Sequence, residues 1–184
     1  NALVAVHEAL HAMAYNSTEI QGGVGTQRRA GLGIYSREGQ VYFRKLNEAV
    51  TEGLTRRFVN SYFSQIPELA EDLAKRDTLR AKFLKDHPNG IEGINSEPEA
   101  IANEISAADE DGDPVFYSYF KERMLLTNLM SHLYKKDPEK YKGDPVLVFE
   151  HFGRAALNGR LLDLARSIDD ALGKGTFKKL GEVF

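Results

Sequence analysis

Two histidines near the start of the chain stand four positions apart, and a glutamate directly follows the first. These residues are His7, Glu8 and His11. Residues four apart lie on one face of an α-helix, so both imidazoles can reach a single Zn²⁺ ion. The Glu8 carboxylate can then meet a metal-bound water without occupying a metal position. The spacing therefore predicts a helical zinc site with His7 and His11 as ligands.

The histidine pair leaves the third zinc ligand open. A catalytic zinc site usually has three protein ligands and one open position. The chain has no cysteine, so the third ligand must be His, Asp or Glu. A third histidine six residues after the second would mark one class of zinc site, but that position is Ser17, which excludes this class. Glu48 and Glu52 are the next candidates, because they lie four apart on a second predicted helix. One can bind the metal while the other accepts a hydrogen bond from a ligand histidine.

Hydrophobic spacing indicates the elements that must position these residues. Residues 2–16 and residues 46–64 both have the periodicity of an α-helix. The glycine-rich stretch between them excludes a helix. Within it, the apolar segments 34–35 and 41–43 flank a turn that contains Gly39, which is typical of a β-hairpin.

Beyond residue 66 the pattern is helical to the end of the chain. Acidic residues concentrate between residues 66 and 113, where several prolines separate short helical pieces. Leu125, Leu129 and Leu133 recur at helical spacing and are expected in the core. Breaks between helices are expected near residues 88–96, 111–114, 143–145 and 173–175.

The composition excludes several classes of protein. The chain has 184 residues, 42% hydrophobic and 28% charged, so a buried core is attainable and disorder is not expected. The absence of cysteine excludes disulfide scaffolds and cysteine nucleophiles. A net charge of −3 provides no electrostatic basis for binding nucleic acid. No apolar run approaches the roughly 18 residues of a membrane span, and the sequence does not indicate an oligomeric state.

The two motifs together resemble the gluzincin clan of zinc metallopeptidases, which includes thermolysin-like enzymes. In that clan a His-Glu-x-x-His helix is followed by a second helix that carries Asn-Glu-x-x-x-Asp/Glu. The first motif is matched by His7, Glu8 and His11, and the second by Asn47, Glu48 and Glu52. The resemblance covers roughly the first third of the chain.

The resemblance implies a function and a set of site residues. His7, His11 and Glu48 would bind one Zn²⁺ per chain, and Glu8 would be the general base that acts on a metal-activated water. The activity would be hydrolysis of a peptide bond in a peptide or protein substrate. The alternative is a non-catalytic binding or scaffold domain that retains a zincin fold.

The resemblance also implies supporting residues and a donor to the transition state. Glu52 would be a hydrogen-bond partner of His7, and Asn47 would lie beside the ligands. The clan supplies a Tyr or His donor from downstream sequence, and here no motif specifies it. The candidates are Tyr117, Tyr119, His132 and His151, of which we predict Tyr119.

The expected fold class is α+β and predominantly helical. We predict a zincin-like metal-binding core over residues 1–65, with the active-site helix, the glycine-rich hairpin and the glutamate helix. An acidic helical insertion or connector would follow over residues 66–113, and a helical C-terminal subdomain over residues 114–184.

The β-sheet that precedes the zinc-binding helix in the clan has no counterpart in this sequence. Clan members carry a β-sheet before the zinc-binding helix, whereas this chain begins six residues before His7 and shows no targeting pattern. If that sheet lies on a segment outside this chain, an extracytoplasmic location is favoured. The hairpin at residues 32–45 is expected to replace its edge strand and hold a peptide by strand addition.

Overall fold

A computed structural model describes residues 2–90 and 97–184. The helices are α1 (Ala2–Met13), α2 (Arg44–Tyr62), α3 (Ala70–Asp86), α4 (Pro98–Ala102), α5 (Phe120–Lys136), α6 (Val146–Asn158), α7 (Leu161–Leu172) and α8 (Thr176–Val183), with short 3₁₀ helices at Phe63–Gln65 and Pro67–Leu69. The strands are β1 (Asn16–Gln21), β2 (Val24–Ala30), β3 (Gly33–Tyr35), β4 (Val41–Tyr42), β5 (Ile105–Ala108) and β6 (Pro114–Phe116). The α+β, predominantly helical prediction is confirmed. The predicted break near residues 88–96 falls mostly outside the described residues.

The glycine-rich stretch after α1 forms a four-stranded antiparallel meander in the order β1-β2-β3-β4. The predicted hairpin is present as β3 and β4, with Ile34 opposite Tyr42. Its outer strand β4 lies at one edge of the sheet but has only two residues, and β3 is paired on both sides, so the hairpin offers little free edge to an added strand. The six-residue strand β1 lies at the other edge of the sheet.

The chain divides into two compact units, residues 1–55 with 119–184, and residues 56–118. This division differs from the three predicted segments, because the first and last segments share one hydrophobic core. That core includes Leu46 and Val50 of α2 together with Leu133, Phe152 and Ile168 of α5, α6 and α7.

The α5 helix buries a different stripe of leucines from the one that its spacing predicts. Leu129 and Leu133 are buried as expected, but Leu125 is 48% exposed and Leu126 is buried in its place. Apolar residues occur on more than one side of this helix, so periodicity alone did not select the buried face.

The second unit contains a β-hairpin where the sequence predicts helices with a break near residues 111–114. Strands β5 and β6 pair antiparallel, with Ile105 opposite Phe116. The Asp109 carboxylate accepts hydrogen bonds from the backbone N–H groups of Asp111 and Asp113, which closes the turn between the strands. The prediction of helix is therefore wrong here, because side-chain bonding within the acidic turn favours a hairpin.

One half-buried arginine connects the sheet to α6 in the first unit. The Arg29 guanidinium donates hydrogen bonds to the carbonyl oxygens of Gly31, Ala155 and Gly159 at 2.7, 2.6 and 2.9 Å. The last two carbonyls lie at the C-terminal end of α6, where a cation is stabilised by the unsatisfied carbonyls. Arg29 therefore fixes the β2–β3 turn against the helical core.

A glycine allows close packing between α2 and α6. A Cβ atom added at Gly53 would lie 2.7 Å from the ring of Phe149, far inside ordinary contact distance. The missing side chain lets this ring pack directly against the α2 backbone.

Among the helices that the structure describes, none is both long enough and apolar enough to cross a bilayer.

Candidate metal centre

The α1 helix brings its two histidine rings together, as their spacing predicts. The ring centroids of His7 and His11 are 4.7 Å apart, and the planes are inclined by 73°. Their Nε2 atoms lie 3.0 Å from each other. Both rings therefore present the same nitrogen to one point in space.

The α2 helix adds a carboxylate to this point. Oε2 of Glu48 lies 3.1 Å from Nε2 of His11 and 3.4 Å from Nε2 of His7. In a tetrahedral zinc site with bonds of about 2.0–2.1 Å, neighbouring ligand atoms are about 3.3 Å apart. The separations of these three atoms fit one zinc ion, and two imidazoles with one carboxylate are a donor set that zinc accepts.

The second glutamate of α2 contacts His7 from the opposite side of the ring. Oε2 of Glu52 lies 2.8 Å from Nδ1 of His7, and the Glu52 side chain is only 7% exposed. An ionised carboxylate can only accept, so Nδ1 carries the proton and donates it to Glu52. The lone pair of His7 is then on Nε2, the nitrogen that faces His11 and Glu48.

Asn47 is buried and connects α2 to the sheet. Its Oδ1 atom accepts a hydrogen bond from the backbone N–H of Leu32 at 2.9 Å. A Cβ atom added at Gly31, where φ is +58°, would lie 2.2 Å from this oxygen. Asn47 thus lies beside the metal-ligand candidates and also anchors the β2–β3 turn at the start of the glutamate helix.

An open cavity of about 430 Å³ lies against the three candidate ligands. Glu8 is exposed on α1 and lines this cavity together with His7 and His11. The cavity is within the range of about 300–1,000 Å³ that is common for ligand sites. The Glu8 carboxylate therefore borders the space in which a bound molecule would face the cluster.

Tyr119 lines the same cavity. Its ring is stacked on that of His7, with centroids 6.1 Å apart and planes inclined by 14°. The backbone of Tyr119 has a left-handed φ of +57° directly before α5, which is uncommon for a residue with a large side chain. Burial, followed by the charge and hydrogen bonding of the Glu48 carboxylate, raises the pKa of the Tyr119 hydroxyl above its ordinary value. This hydroxyl stays protonated and can donate a hydrogen bond.

The other three candidate donors are absent from the described lining of this cavity. Tyr117 is buried in the unit of residues 56–118. His132 is exposed on α5, with Nδ1 2.8 Å from the carbonyl oxygen of Asn128. His151 lines a separate cavity on α6. Of the four, the structure brings Tyr119 to the cluster.

Sequence reasoning did not identify the strand residues that line the cavity. These residues are Asn16, Gln27 and Tyr35, which belong to β1, β2 and β3. Asn16 and Gln27 are polar residues in strands without clear apolar alternation, so their segments gave no strand signal. Pairing of β1, β2 and β3 brings these residues to the cavity, and no local sequence pattern contains that pairing.

Comparison with protein-family models, curated proteins and solved structures returned no significant match. The likeness to gluzincins therefore consists of the two helical motifs alone.

Proposed function

We propose that this chain is a zinc-dependent metallopeptidase of the gluzincin type. The observation that best supports the proposal is the convergence of His7 Nε2, His11 Nε2 and Glu48 Oε2 at mutual distances of 3.0–3.4 Å. A purely structural zinc site usually has four protein ligands, whereas three ligands leave a position for water and substrate. In the described chain, these three residues form a cluster able to hold a metal ion, and they border an open cavity.

In this proposal His7, His11 and Glu48 hold one Zn²⁺ per chain. When bound, zinc lowers the pKa of water and polarises the carbonyl group of the scissile bond. Glu52 keeps the proton of His7 on Nδ1, and so leaves Nε2 free to bind the metal.

Two further side chains supply proton transfer and transition-state stabilisation. Glu8 takes a proton from the attacking water and passes it to the leaving amine. The Tyr119 hydroxyl donates a hydrogen bond to the oxygen that becomes negatively charged as the carbonyl is attacked. A tyrosine with its ordinary pKa of 10.0 is already protonated at neutral pH, and burial raises the pKa of Tyr119 further.

The outer edge of β1 offers a place for the substrate main chain. Among the described strands β1 is paired only with β2, so its other edge carries unpaired backbone groups. The strand begins at Asn16, which lines the cavity beside the metal ligands. An extended peptide added to this edge would approach the cluster, in place of the predicted addition to residues 32–45.

Metal analysis and a cleavage assay on the same preparation test the proposal. We expect about one zinc per chain by mass spectrometry. A library of internally quenched peptides should be cleaved, and cleavage should stop on addition of a chelator and return with zinc. Zinc binding without cleavage of any peptide would favour the scaffold alternative, and absence of zinc binding would contradict both the site and the function.

A further inference from the structure

Besides Asn47, five residues that line the cavity beside the candidate zinc ligands carry no charge, and we call these five the uncharged wall. This wall is formed by Ala14, Asn16, Gln27, Ala30 and Tyr35. The titratable groups that line the rest of the described cavity are His7, Glu8, His11, Glu48 and Tyr119, all of which have roles in the proposed reaction. The described lining contains no lysine or arginine, and its two carboxylates, Glu8 and Glu48, both have roles in the proposed reaction.

The arginines next to this wall in the sequence are engaged elsewhere. Arg28 and Arg37 form ion pairs with the carboxylate of Glu19 at 2.6 and 2.7 Å. The guanidinium of Arg29 is occupied by three backbone carbonyl oxygens of the first unit. The basic residues of β2 therefore give the cavity no site for an acidic substrate side chain.

The side-chain amide of Gln27, which lines the cavity, uses only one of its hydrogen-bonding groups within the described part of the chain. Its Nε2 donates a hydrogen bond to Oδ1 of Asn16 at 2.8 Å, and Nδ2 of Asn16 donates to the carbonyl oxygen of Ala14 at 2.8 Å. This chain of bonds orients the Gln27 amide. In the described part of the chain, its second N–H and its Oε1 make no other hydrogen bond, so one donor and one acceptor remain.

We propose that Gln27 makes this site selective for an uncharged side chain, with a polar amide or small residue preferred, at a position that flanks the scissile bond. The inference rests on the proposed peptidase function and specifies its substrate class. An amide can pair with another amide, but it cannot neutralise a carboxylate or an ammonium group. Asn16 and Gln27 are exposed, so a charged side chain would lose only part of its hydration here, but it would gain no partner of opposite charge, whereas an amide side chain would gain hydrogen bonds from Gln27.

Charge substitution at Gln27 tests the selection. A peptide found by library cleavage is remade with Gln, Ala, Glu or Lys at each of the two positions that flank the cleaved bond, and kcat/KM is measured. At one of these positions, we expect the wild type to favour Gln and Ala over Glu and Lys by about tenfold or more. Gln27→Lys should shift the ratio toward the Glu peptide, and Gln27→Glu toward the Lys peptide, each by about tenfold or more. Gln65→Lys, at an exposed position outside both the lining and β1, is the matched control and should leave the ratios unchanged.

A binding measurement separates recognition from turnover. In a Glu8→Gln background, peptide Kd values from fluorescence anisotropy should follow the same order as the wild-type kcat/KM values. Chelator-sensitive cleavage without a charge preference, or ratios that Gln27 variants do not move, would overturn the inference and leave the peptidase proposal intact. A zinc-loaded protein that cleaves no peptide would overturn both.

Discussion

Nδ1 of His7 lies 2.8 Å from Oε2 of Glu52, a residue 45 positions later in the chain. The Glu52 carboxylate is nearly buried, and it contacts the side of the ring opposite to His11 and Glu48. It therefore sets which nitrogen of His7 holds the proton, and it orients Nε2 toward the candidate metal position. Glu48 and Glu52 are one helical turn apart and have different contacts, which allows their roles to be separated by experiment.

Glu48→Ala should cost far more zinc affinity than Glu52→Ala. The first change removes a candidate ligand atom, whereas the second removes a hydrogen bond to a ligand and should weaken binding by about 10–100-fold. Competition with a chromophoric chelator measures both affinities. Both substitutions lie on α2, so each partly controls for general effects on that helix. Equal losses, or a larger loss with Glu52→Ala, would require the two roles to be reassigned.

Glu8→Gln should keep zinc and lose activity. The amide has the shape of the carboxylate but cannot act as a base, so kcat should fall at least about 10²-fold. The measurement pairs peptide turnover with zinc content on the same sample. Glu38→Gln, in the β3–β4 turn, is a suitable control and should have the turnover of the wild type. Unchanged turnover in Glu8→Gln would contradict the proposed mechanism.

Tyr119→Phe should lower kcat by about 10²–10³-fold while KM and zinc content change little. The substitution removes the hydroxyl and keeps the ring that stacks on His7. Tyr117→Phe tests the neighbouring candidate from the sequence and should leave kcat unchanged. If Tyr117→Phe carries the larger loss, the donor has been assigned to the wrong tyrosine.

The two helices of the site were predictable because their signals are local. The four-residue spacing of His7 and His11 places both on one helical face wherever the helix lies, and the same holds for Glu48 and Glu52. The resemblance then paired the two motifs. The structure brings His7, His11 and Glu48 to one point, although Glu48 lies 37 positions after His11 and the residues between them form a sheet that was only partly predicted.

The remainder depends on contacts that no local pattern contains. Arg29 is one of several arginines in a polar segment, yet its guanidinium bonds to carbonyl oxygens 126 and 130 positions away. Strand β1 contains mostly polar residues, and it is stabilised by pairing with β2 rather than by an apolar face. Tertiary contacts of this kind form the strand side of the cavity lining and define the two units, so neither could be predicted from local sequence.

Asn47→Ala should destabilise the fold by about 1–3 kcal/mol, because the buried N–H of Leu32 would lose its acceptor. Urea unfolding of the chelator-treated protein measures this loss without a contribution from metal binding. Asn60→Ala, at an exposed position of the same helix, supplies the control for helix propensity. A loss no larger than that of Asn60→Ala would show that the bond to Leu32 contributes little.

Asp169→Asn should lower the Tm at neutral pH, and the difference from the wild type should shrink in acid. Oδ1 of Asp169 accepts the backbone N–H of Phe177 at 2.8 Å, and Oδ2 accepts that of Gly175 at 3.0 Å. These bonds, that of Phe177 first, lower the pKa of Asp169 below its ordinary value of 3.8. A lowered folded-state pKa means that the carboxylate stabilises the fold above pH 3.8, and that this stabilisation is lost as the pH falls through the folded value.

Thermal unfolding of both proteins from pH 7 down to about pH 2.5 follows this loss, which spans the region around the carboxyl pKa values. The wild type should approach the Tm of Asp169→Asn as the carboxylate becomes protonated. Asp170→Asn changes the neighbouring exposed carboxylate on α7 and controls for the loss of one negative charge. Asp169 holds the turn that leads into α8, and Phe177 of α8 stacks on Phe43, the residue before α2. Loss of the Asp169 carboxylate should therefore also weaken the packing at the start of α2. A Tm difference independent of pH would contradict the assignment of these two hydrogen bonds to the ionised carboxylate.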